Sequence, residues 1–223
     1  MYEVVQSYLS QGYRVMPIYG IDQGCKCPII IPKATDIDED TDNKKDCDRQ
    51  CIGKVPMVEH WPDKEFTEHD FPNGCNLAMI MGKQLDGRWL VGFDIDGTLD
   101  LKEWLILPET LECKTGRGYH LVYEVPEDTP FGNWNDMFNT RSDTGYRLNY
   151  TGALDIKYCR GAMVSPPSIN KNNIQYVWKT WMKPTILPHE EIIYLIRKRK
   201  ALKPHIKRYK KWTLNPSHFG KQP

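Results

Sequence analysis

Two carboxylates stand two residues apart at the end of an apolar run, in the segment LVGFDIDG at residues 90–97. Such a run predicts a buried strand, and side chains two residues apart on a strand point to the same face. Asp94 and Asp96 are therefore expected to project together from one strand end. Two like charges held side by side repel each other, so a bound cation is the simplest reason for keeping both. Phosphatases and nucleotide polymerases both use such a pair.

Two further segments predict polar groups at the ends of apolar strands. The segment TGRGYH, from Thr115 to His120, is a glycine-rich turn that carries a cation and a histidine. Its glycines let backbone N–H groups approach phosphate oxygens, while Arg117 and His120 add charge and donors. Asp155 lies on a third apolar strand. Three carboxylates beside a phosphate-binding turn are typical of sites that catalyse phosphoryl transfer with two metal ions.

The elements that must position these groups follow from periodicity and turn residues. A helix is predicted at residues 2–10, and a hairpin turn is predicted at residues 84–87. Two more helices are predicted at residues 99–107 and 190–200. The predicted strands cover residues 13–19, 76–82, 89–94, 110–114, 119–125, 153–158, 162–165 and 176–181. This order is rich in hairpins and poor in βαβ units, which indicates the α+β class.

A polar, cysteine-rich insertion is predicted at residues 24–56. It contains four of the seven cysteines in two close pairs, Cys25 with Cys27 and Cys47 with Cys51. Clustered cysteines in a reducing compartment favour metal over disulfides, and four thiolates suit tetrahedral Zn²⁺, so we expect a structural zinc knuckle. Reduced free cysteines are the alternative. The other three, Cys75, Cys113 and Cys159, flank apolar segments and are expected to be core thiols.

The charge of the chain is unevenly distributed. Residues 197–223 contain ten of the 30 Lys and Arg residues and none of the 29 Asp and Glu residues, so 20 basic and 29 acidic residues remain in residues 1–196. A basic tail on an acidic body suggests a polyanionic partner such as nucleic acid, although a solvated linker to another domain is an equal alternative. With no apolar run of about 20 residues and no signal-like start, we expect a cytoplasmic protein and no membrane partner.

In combination, these segments resemble one family. Gly53 to Pro56, Asn76 to Gly82, the Asp94 and Asp96 pair, Thr115 to His120, Asp155, and Val164 to Ser168 occur in an order similar to the N-terminal primase–polymerase (prim-pol) domain of the archaeo-eukaryotic primase superfamily. The resemblance spans about residues 1–180. Such domains are common on plasmids, phages and other mobile replicons, so the resemblance implies a replication protein of that kind.

The resemblance implies a catalytic domain at residues 1–196, followed by the basic tail. Its fold would be an RRM-like antiparallel sheet packed on a second α/β unit. Its activity would be template-directed DNA primase and polymerase chemistry on single-stranded DNA, with ribo- or deoxynucleoside triphosphates as substrates. A helicase domain or subunit would be a partner, C-terminal to this chain.

The resemblance also implies roles for particular residues. Asp94, Asp96 and Asp155 would hold two Mg²⁺ or Mn²⁺ ions, and His120 would contact the incoming triphosphate. The nucleotide pocket would further include Lys114, Thr115, Gly116, Arg117 and Arg160. The chain departs from the family at Val55, where a histidine is frequent. The fourth zinc ligand is therefore either one of the cysteines or His60.

Two other functions compete. The segment FDIDGTL at residues 93–99 matches the Asp-x-Asp-Gly-Thr signature of haloacid dehalogenase-type phosphatases, in which Asp94 would be a nucleophile and Asp96 a general acid/base. That signature normally opens the first strand of a doubly wound fold, whereas 93 residues precede Asp94 here. A non-catalytic, zinc-containing nucleic-acid-binding module is the third reading, but it leaves the three carboxylates without a purpose.

Overall fold

The computed structural model describes residues 1–24, 52–97, 105–139 and 152–198. The cysteine pairs, residues 99–104 of the predicted helix at 99–107, and most of the basic tail lie outside these residues. Residues 105–107 of that predicted helix are described and are not helical. The predicted α+β class is confirmed, since helices accompany two sheets in which every ladder between described strands is antiparallel. No helix in the described ranges is long and apolar enough to cross a membrane.

Two α-helices, three single-turn 3-10 helices and ten strands form the described part of the fold. Helix α1 is Tyr2–Ser10, as predicted, and α2 covers residues 189–198. The strands are β1 (Val15–Ile18), β2 (Asn76–Ile80), β3 (Gly82–Lys83), β4 (Trp89–Gly97), β5 (Leu111–Lys114), β6 (Gly118–Val125), β7 (Trp134–Asn139), β8 (Gly152–Lys157), β9 (Ala162–Ser165) and β10 (Val177–Thr180). Strand β7 was not predicted.

The strands divide between a small sheet and a large one. The small sheet has the order β1-β2-β9, and the large, seven-stranded sheet has the order β10-β5-β6-β4-β8-β7, with β3 paired to β4. The predicted turn at residues 84–87 forms, because Gln84 and Arg88 pair across it. The turn joins the two-residue strand β3 to β4, whereas the sequence predicted that it would join the longer strand β2 to β4. Strand β2 lies in the other sheet.

The two faces of β4 contribute side chains to two different hydrophobic cores. Val91, Phe93 and Ile95 are buried with Leu187, Ile192 and Leu195, on the face that α2 covers. The alternate residues Leu90 and Gly92 face the small sheet, where Met163 of β9 fills the space that a side chain at Gly92 would need. Asp94 and Asp96 follow on this second face by the two-residue period of a strand. The carboxylates therefore lie where the cover of the small sheet ends.

Two loops border that uncovered area. The first, which we call the strap, is residues 53–57, and it pairs with the end of β1 through Tyr19 N–H to Val55 O at 2.8 Å and Met57 N–H to Pro17 O at 3.1 Å. The second, which we call the bridging loop, is residues 166–176, between β9 and β10. Ser168 Oγ fixes it to β2 by accepting from Leu77 N–H at 2.8 Å and donating to Leu77 O at 2.9 Å.

Asn76 joins the strap to the bridging loop. Its buried amide donates to Gly53 O at 3.2 Å and to Ile169 O at 2.8 Å, and it accepts from Ile169 N–H at 3.0 Å. An amide whose donors and acceptor are all used in this way holds three segments of chain at one point. Its loss would leave buried backbone groups without partners, which costs more than the hydrogen bonds themselves contribute.

Replacing Asn76 by Ala should lower the free energy of unfolding by about 1–3 kcal/mol, because Ile169 N–H and Gly53 O lose their partner. Urea-induced unfolding followed by circular dichroism measures it. The matched control is Asn172→Ala, since the Asn172 side chain is exposed and should matter little. Equal stability of the two variants would contradict this role of Asn76.

Candidate metal and nucleotide site

The carboxylates and the histidine form one row across three strands. In the register of the large sheet, Asp94 of β4 lies opposite His120 of β6 on one side and opposite Asp155 of β8 on the other. Residues directly opposite in an antiparallel pair share a face, with Cβ atoms about 4.5–5.5 Å apart. Asp96 lies two residues further along the same face, opposite Gly118 and Ala153. The grouping of these four residues depends on this register.

The position of the pair within its strand differs from the prediction. We expected the strand to end at Asp94, but β4 continues to Gly97. Asp94 and Asp96 therefore lie inside a strand that is paired on both sides, rather than at its end. The cause is the partner strands, since β6 and β8 both extend far enough to pair with residues 94–96. Pairing on both sides holds the two carboxylates more rigidly than a free strand end would.

Each carboxylate has a cationic or potentially cationic neighbour. His120 Nε2 lies 3.2 Å from Asp94 Oδ1, and Lys157 Nζ lies 3.2 Å from Asp155 Oδ2. Arg117 Nη2 lies 3.7 Å from Asp96 Oδ2, with both side chains well exposed. No group of three or more His, Cys, Asp or Glu side chains in the described ranges is arranged to hold a metal ion. With each carboxylate turned to its own partner, the three do not converge on one point.

The electrostatics nevertheless favour an ionised Asp94 carboxylate. Burial by itself would raise the pKa of Asp94, but the attraction of His120 and its hydrogen bond, together with the charges of Lys157 and Lys54, outweigh burial and lower the pKa to about 2. The side chain keeps 35 % of its surface exposed, so a ligand can reach it. Carboxylate oxygens are the donor type that Mg²⁺ and Mn²⁺ prefer, so the chemistry of these residues fits such ions, although their side chains would have to turn from their present partners to bind one.

The Thr115–His120 segment forms the predicted turn between β5 and β6. Thr115 Oγ1 accepts from Gly118 N–H at 3.0 Å and from Arg117 N–H at 3.4 Å, and Thr115 N–H donates to Gly118 O at 3.0 Å. These three N–H groups are thus used inside the turn. The Arg117 guanidinium is well exposed, so an anion can reach it.

His120 is buried, with 8 % of its side chain exposed, and it hydrogen-bonds to Asp94. The ring of Tyr176, at the end of the bridging loop, packs against it with ring centroids 5.8 Å apart. Burial, with the nearby charges of Asp94 and Asp96, raises the pKa of Tyr176 to about 12, so its hydroxyl keeps its proton. His120 is thus held between Tyr176 and Asp94, which fixes the orientation of the Asp94 carboxylate.

The structure does not bring every predicted residue to this row. Lys114 lies next to Cys113, the residue opposite His120, so strand alternation places Lys114 on the other face of β5. Arg160 lies in the turn after β8 and forms an ion pair with Asp63 at 3.1 Å. The four cysteines of the zinc prediction lie outside the described residues, and His60 is exposed. The zinc knuckle therefore stays a prediction.

The expectation of three core thiols was wrong for one of them. Cys75 and Cys113 are buried, but Cys159 is exposed because it lies in the turn just after β8. Burial, with the nearby charges of Asp94 and Glu112, raises the pKa of Cys113 to about 12. Cys113 is thus a neutral core thiol beside His120, on the same face as the row.

Two residues near the carboxylates were not assigned by sequence reasoning. Tyr176 was only the start of a predicted strand, and Lys54 was only part of a motif quoted for the family resemblance. Their signals in the sequence were the Pro-Pro-Ser segment before the bridging loop and the Gly-Lys pair of the strap. Neither sequence segment predicts that Tyr176 or Lys54 will lie near the carboxylates of the large sheet.

The comparisons with known proteins agree with the resemblance. Residues 5–190 match the family model described as "Prim-Pol: Bifunctional DNA primase/polymerase, N-terminal". The match covers most of the chain and includes all the residues of the row. A search of curated proteins found no match.

Replacing Gly118 by Ala should disturb the register on which the row depends. Its new Cβ would overlap the carbonyl oxygen of Ile95 and lie 3.2 Å from the Cα of Asp96, and a paired backbone cannot move aside easily. We expect a loss of about 1–3 kcal/mol in unfolding free energy, measured by urea titration. Gly116→Ala is the comparison, because there the obstacle is the side-chain amide of Asn170. A Gly118→Ala variant as stable as the wild type would contradict the register.

Proposed function

Because the chain belongs to the Prim-Pol family of bifunctional DNA primase/polymerase N-terminal domains, we propose that it synthesises and extends primers on single-stranded DNA by metal-dependent nucleotidyl transfer. The observation that carries the proposal is the row Asp155–Asp94–His120, with Asp96 on the same face. The large sheet would be the RRM-like catalytic unit, and the small sheet with α1 would belong to the second unit.

In this proposal the three carboxylates hold two divalent ions and His120 orients Asp94. When bound, Mg²⁺ or Mn²⁺ would supply Lewis-acid stabilisation of the charge that develops on the phosphate. Asp155 and Asp96 would hold these ions in place of their ion pairs with Lys157 and Arg117, because those ion pairs are partly exposed and therefore weak. Released from Asp96, the Arg117 guanidinium would be available to the phosphates.

The reaction proposed is attack of a primer 3′-hydroxyl oxygen on the α-phosphorus of a nucleoside triphosphate. The new oxygen–phosphorus bond forms as the bond to the bridging oxygen of the β-phosphate breaks, and pyrophosphate leaves. The 3′-hydroxyl loses its proton to solvent. The chain contributes mainly positioning and electrostatics, as is usual in phosphoryl transfer.

The architecture supports this reading over the phosphatase reading. A haloacid dehalogenase-type site needs its Asp-x-Asp pair on a parallel, doubly wound sheet, but here the pair lies on a strand with antiparallel neighbours on both sides. His120, directly opposite Asp94, is accounted for by a role in positioning that carboxylate. The replicative setting that we propose, a mobile replicon, rests on the family resemblance alone.

A primer-synthesis assay with single-stranded DNA, nucleoside triphosphates and Mg²⁺ or Mn²⁺ tests the proposal. The wild type should make primers, and Asp94→Asn or Asp155→Asn should reduce incorporation by about 100-fold or more with unchanged circular dichroism. The matched control is Asp128→Asn, because Asp128 is exposed and lies in the turn after β6.

Two outcomes would contradict the proposed activity. Release of inorganic phosphate from phosphomonoesters without incorporation would favour the phosphatase. Binding of single-stranded DNA by the wild type and by the aspartate variants alike, with no incorporation by any of them, would favour the non-catalytic module.

We further propose that the basic tail binds the template strand. Its cations should make the affinity for single-stranded DNA salt-dependent, because each phosphate contact releases counterions. Changing the six basic residues beyond residue 200 to Gln should weaken binding and flatten the plot of log K against log salt. The six are Lys203, Lys207, Arg208, Lys210, Lys211 and Lys221.

Fluorescence anisotropy of labelled oligonucleotides at several salt concentrations provides the measurement. The control variant has Arg at all six positions, which keeps the charge and should keep the slope. An unchanged slope in the Gln variant would show that the tail is a linker.

A further inference from the structure

The strap carries Lys54, which lies at the border of the site on a backbone that is held in place by several contacts. Besides its two hydrogen bonds with residues 17 and 19, it forms a bridge between Pro56 and Ile18 of β1. Gly53 adopts φ +75°, where a side chain is strained, and a Cβ there would lie 3.0 Å from the Asn76 amide nitrogen and 3.2 Å from Ile169 O. The residue before Lys54 is therefore pinned by its surroundings, so the backbone at Lys54 has little freedom.

The bridging loop connects this strap to the Thr115–His120 turn. Its Ile169 binds the same Asn76 amide that holds Gly53. Its next residue, Asn170, lies directly against Gly116, and the Asn170 Oδ1 accepts from Asn172 N–H at 2.9 Å and from Ile174 N–H at 3.1 Å. Its last residue, Tyr176, packs on His120. One rigid loop thus fixes Lys54 and Arg117 relative to each other and to the carboxylate row.

Lys54 is exposed, and it has no ion-pair partner among the residues that the structure describes. A lysine held beside a row of carboxylates, without a salt bridge of its own, has all three ammonium donors available for an anion. An ammonium is well suited to contact phosphate as a compact point charge.

We propose that Lys54 binds the polyphosphate of the incoming nucleotide together with Arg117. This inference rests on the proposed function, since it assumes that a nucleoside triphosphate is the substrate. A triphosphate concentrates several negative charges at one place, whereas a template strand carries one charge per nucleotide. The lysine at the carboxylate row is therefore assigned to the triphosphate, while the basic tail is assigned to the template.

The test is calorimetric binding of a nucleoside triphosphate with a non-cleavable α,β-methylene bridge, in the presence of Mg²⁺, to the full chain. Lys54→Ala should weaken this binding about tenfold or more, because one charge-assisted contact is lost. Binding of the matching nucleoside monophosphate should change much less, and Lys54→Arg should retain most of the triphosphate affinity.

The matched control is Lys83→Ala. Lys83 is exposed on β3 opposite Trp89, which is five residues from Asp94, or about 17 Å along an extended strand. This variant should bind the triphosphate like the wild type. Lys54→Ala binding within about twofold of the Lys83→Ala control would overturn the inference. A loss of single-stranded DNA binding without a loss of triphosphate binding would also overturn it, in favour of a template contact.

The primer-synthesis assay separates this inference from the proposed function. Primer synthesis by the wild type, combined with normal triphosphate binding by Lys54→Ala, would defeat the inference alone. Triphosphate binding that depends on Lys54, without incorporation by the wild type, would defeat the proposed polymerase and leave the nucleotide site standing. A wild type that binds no triphosphate would defeat both.

Discussion

The antiparallel register of β4 with its two neighbours is the constraint on which the site depends. It sets Asp94 between His120 and Asp155, three residues that are 26 and 35 positions apart along the chain. A slip of one residue would turn every side chain of a strand to the opposite face and disperse the group. The apolar residues that alternate with the carboxylates prevent such a slip, because Phe93 and Ile95 must stay buried against α2. The core that stabilises the fold therefore also fixes the chemistry.

Charge compensation is the second requirement that the register imposes. Carboxylates at adjacent positions of a sheet repel each other. Here a histidine, a lysine and an arginine lie beside them and compensate their negative charge. Most of these pairs are partly exposed, so each contributes little to stability. Their arrangement suits the exchange of partners that we propose, in which the carboxylates would bind divalent ions and some of the cations would bind phosphate. The small sheet covers β4 only as far as Gly92, so the face that carries the carboxylates is left uncovered by it.

Much of this arrangement followed from local patterns in the sequence. Alternating and continuous apolar runs located β1, β5, β6, β8 and β9, and residue types in strand segments identified Asp94, Asp96, Asp155 and His120. The order of the strands in the sheets could not be predicted from the sequence, because it depends on packing between residues that are far apart along the chain. For the same reason the extension of β4 to Gly97 and the opposite face of Lys114 were not foreseen. Tyr176 and Lys54 are placed near the site by contacts between distant segments. Among these, the contacts of Ile169 with Asn76 and of Ser168 with Leu77 join residues about 90 positions apart.

The most direct test of the account is a crystal structure of the chain soaked with Mn²⁺ and a nucleoside triphosphate that cannot be cleaved, with data collected at the manganese absorption edge. Our account predicts anomalous density within coordination distance of Asp94, Asp96 and Asp155, with the triphosphate beside it. A nucleotide bound without manganese at these carboxylates, or manganese bound only elsewhere on the chain, would contradict it.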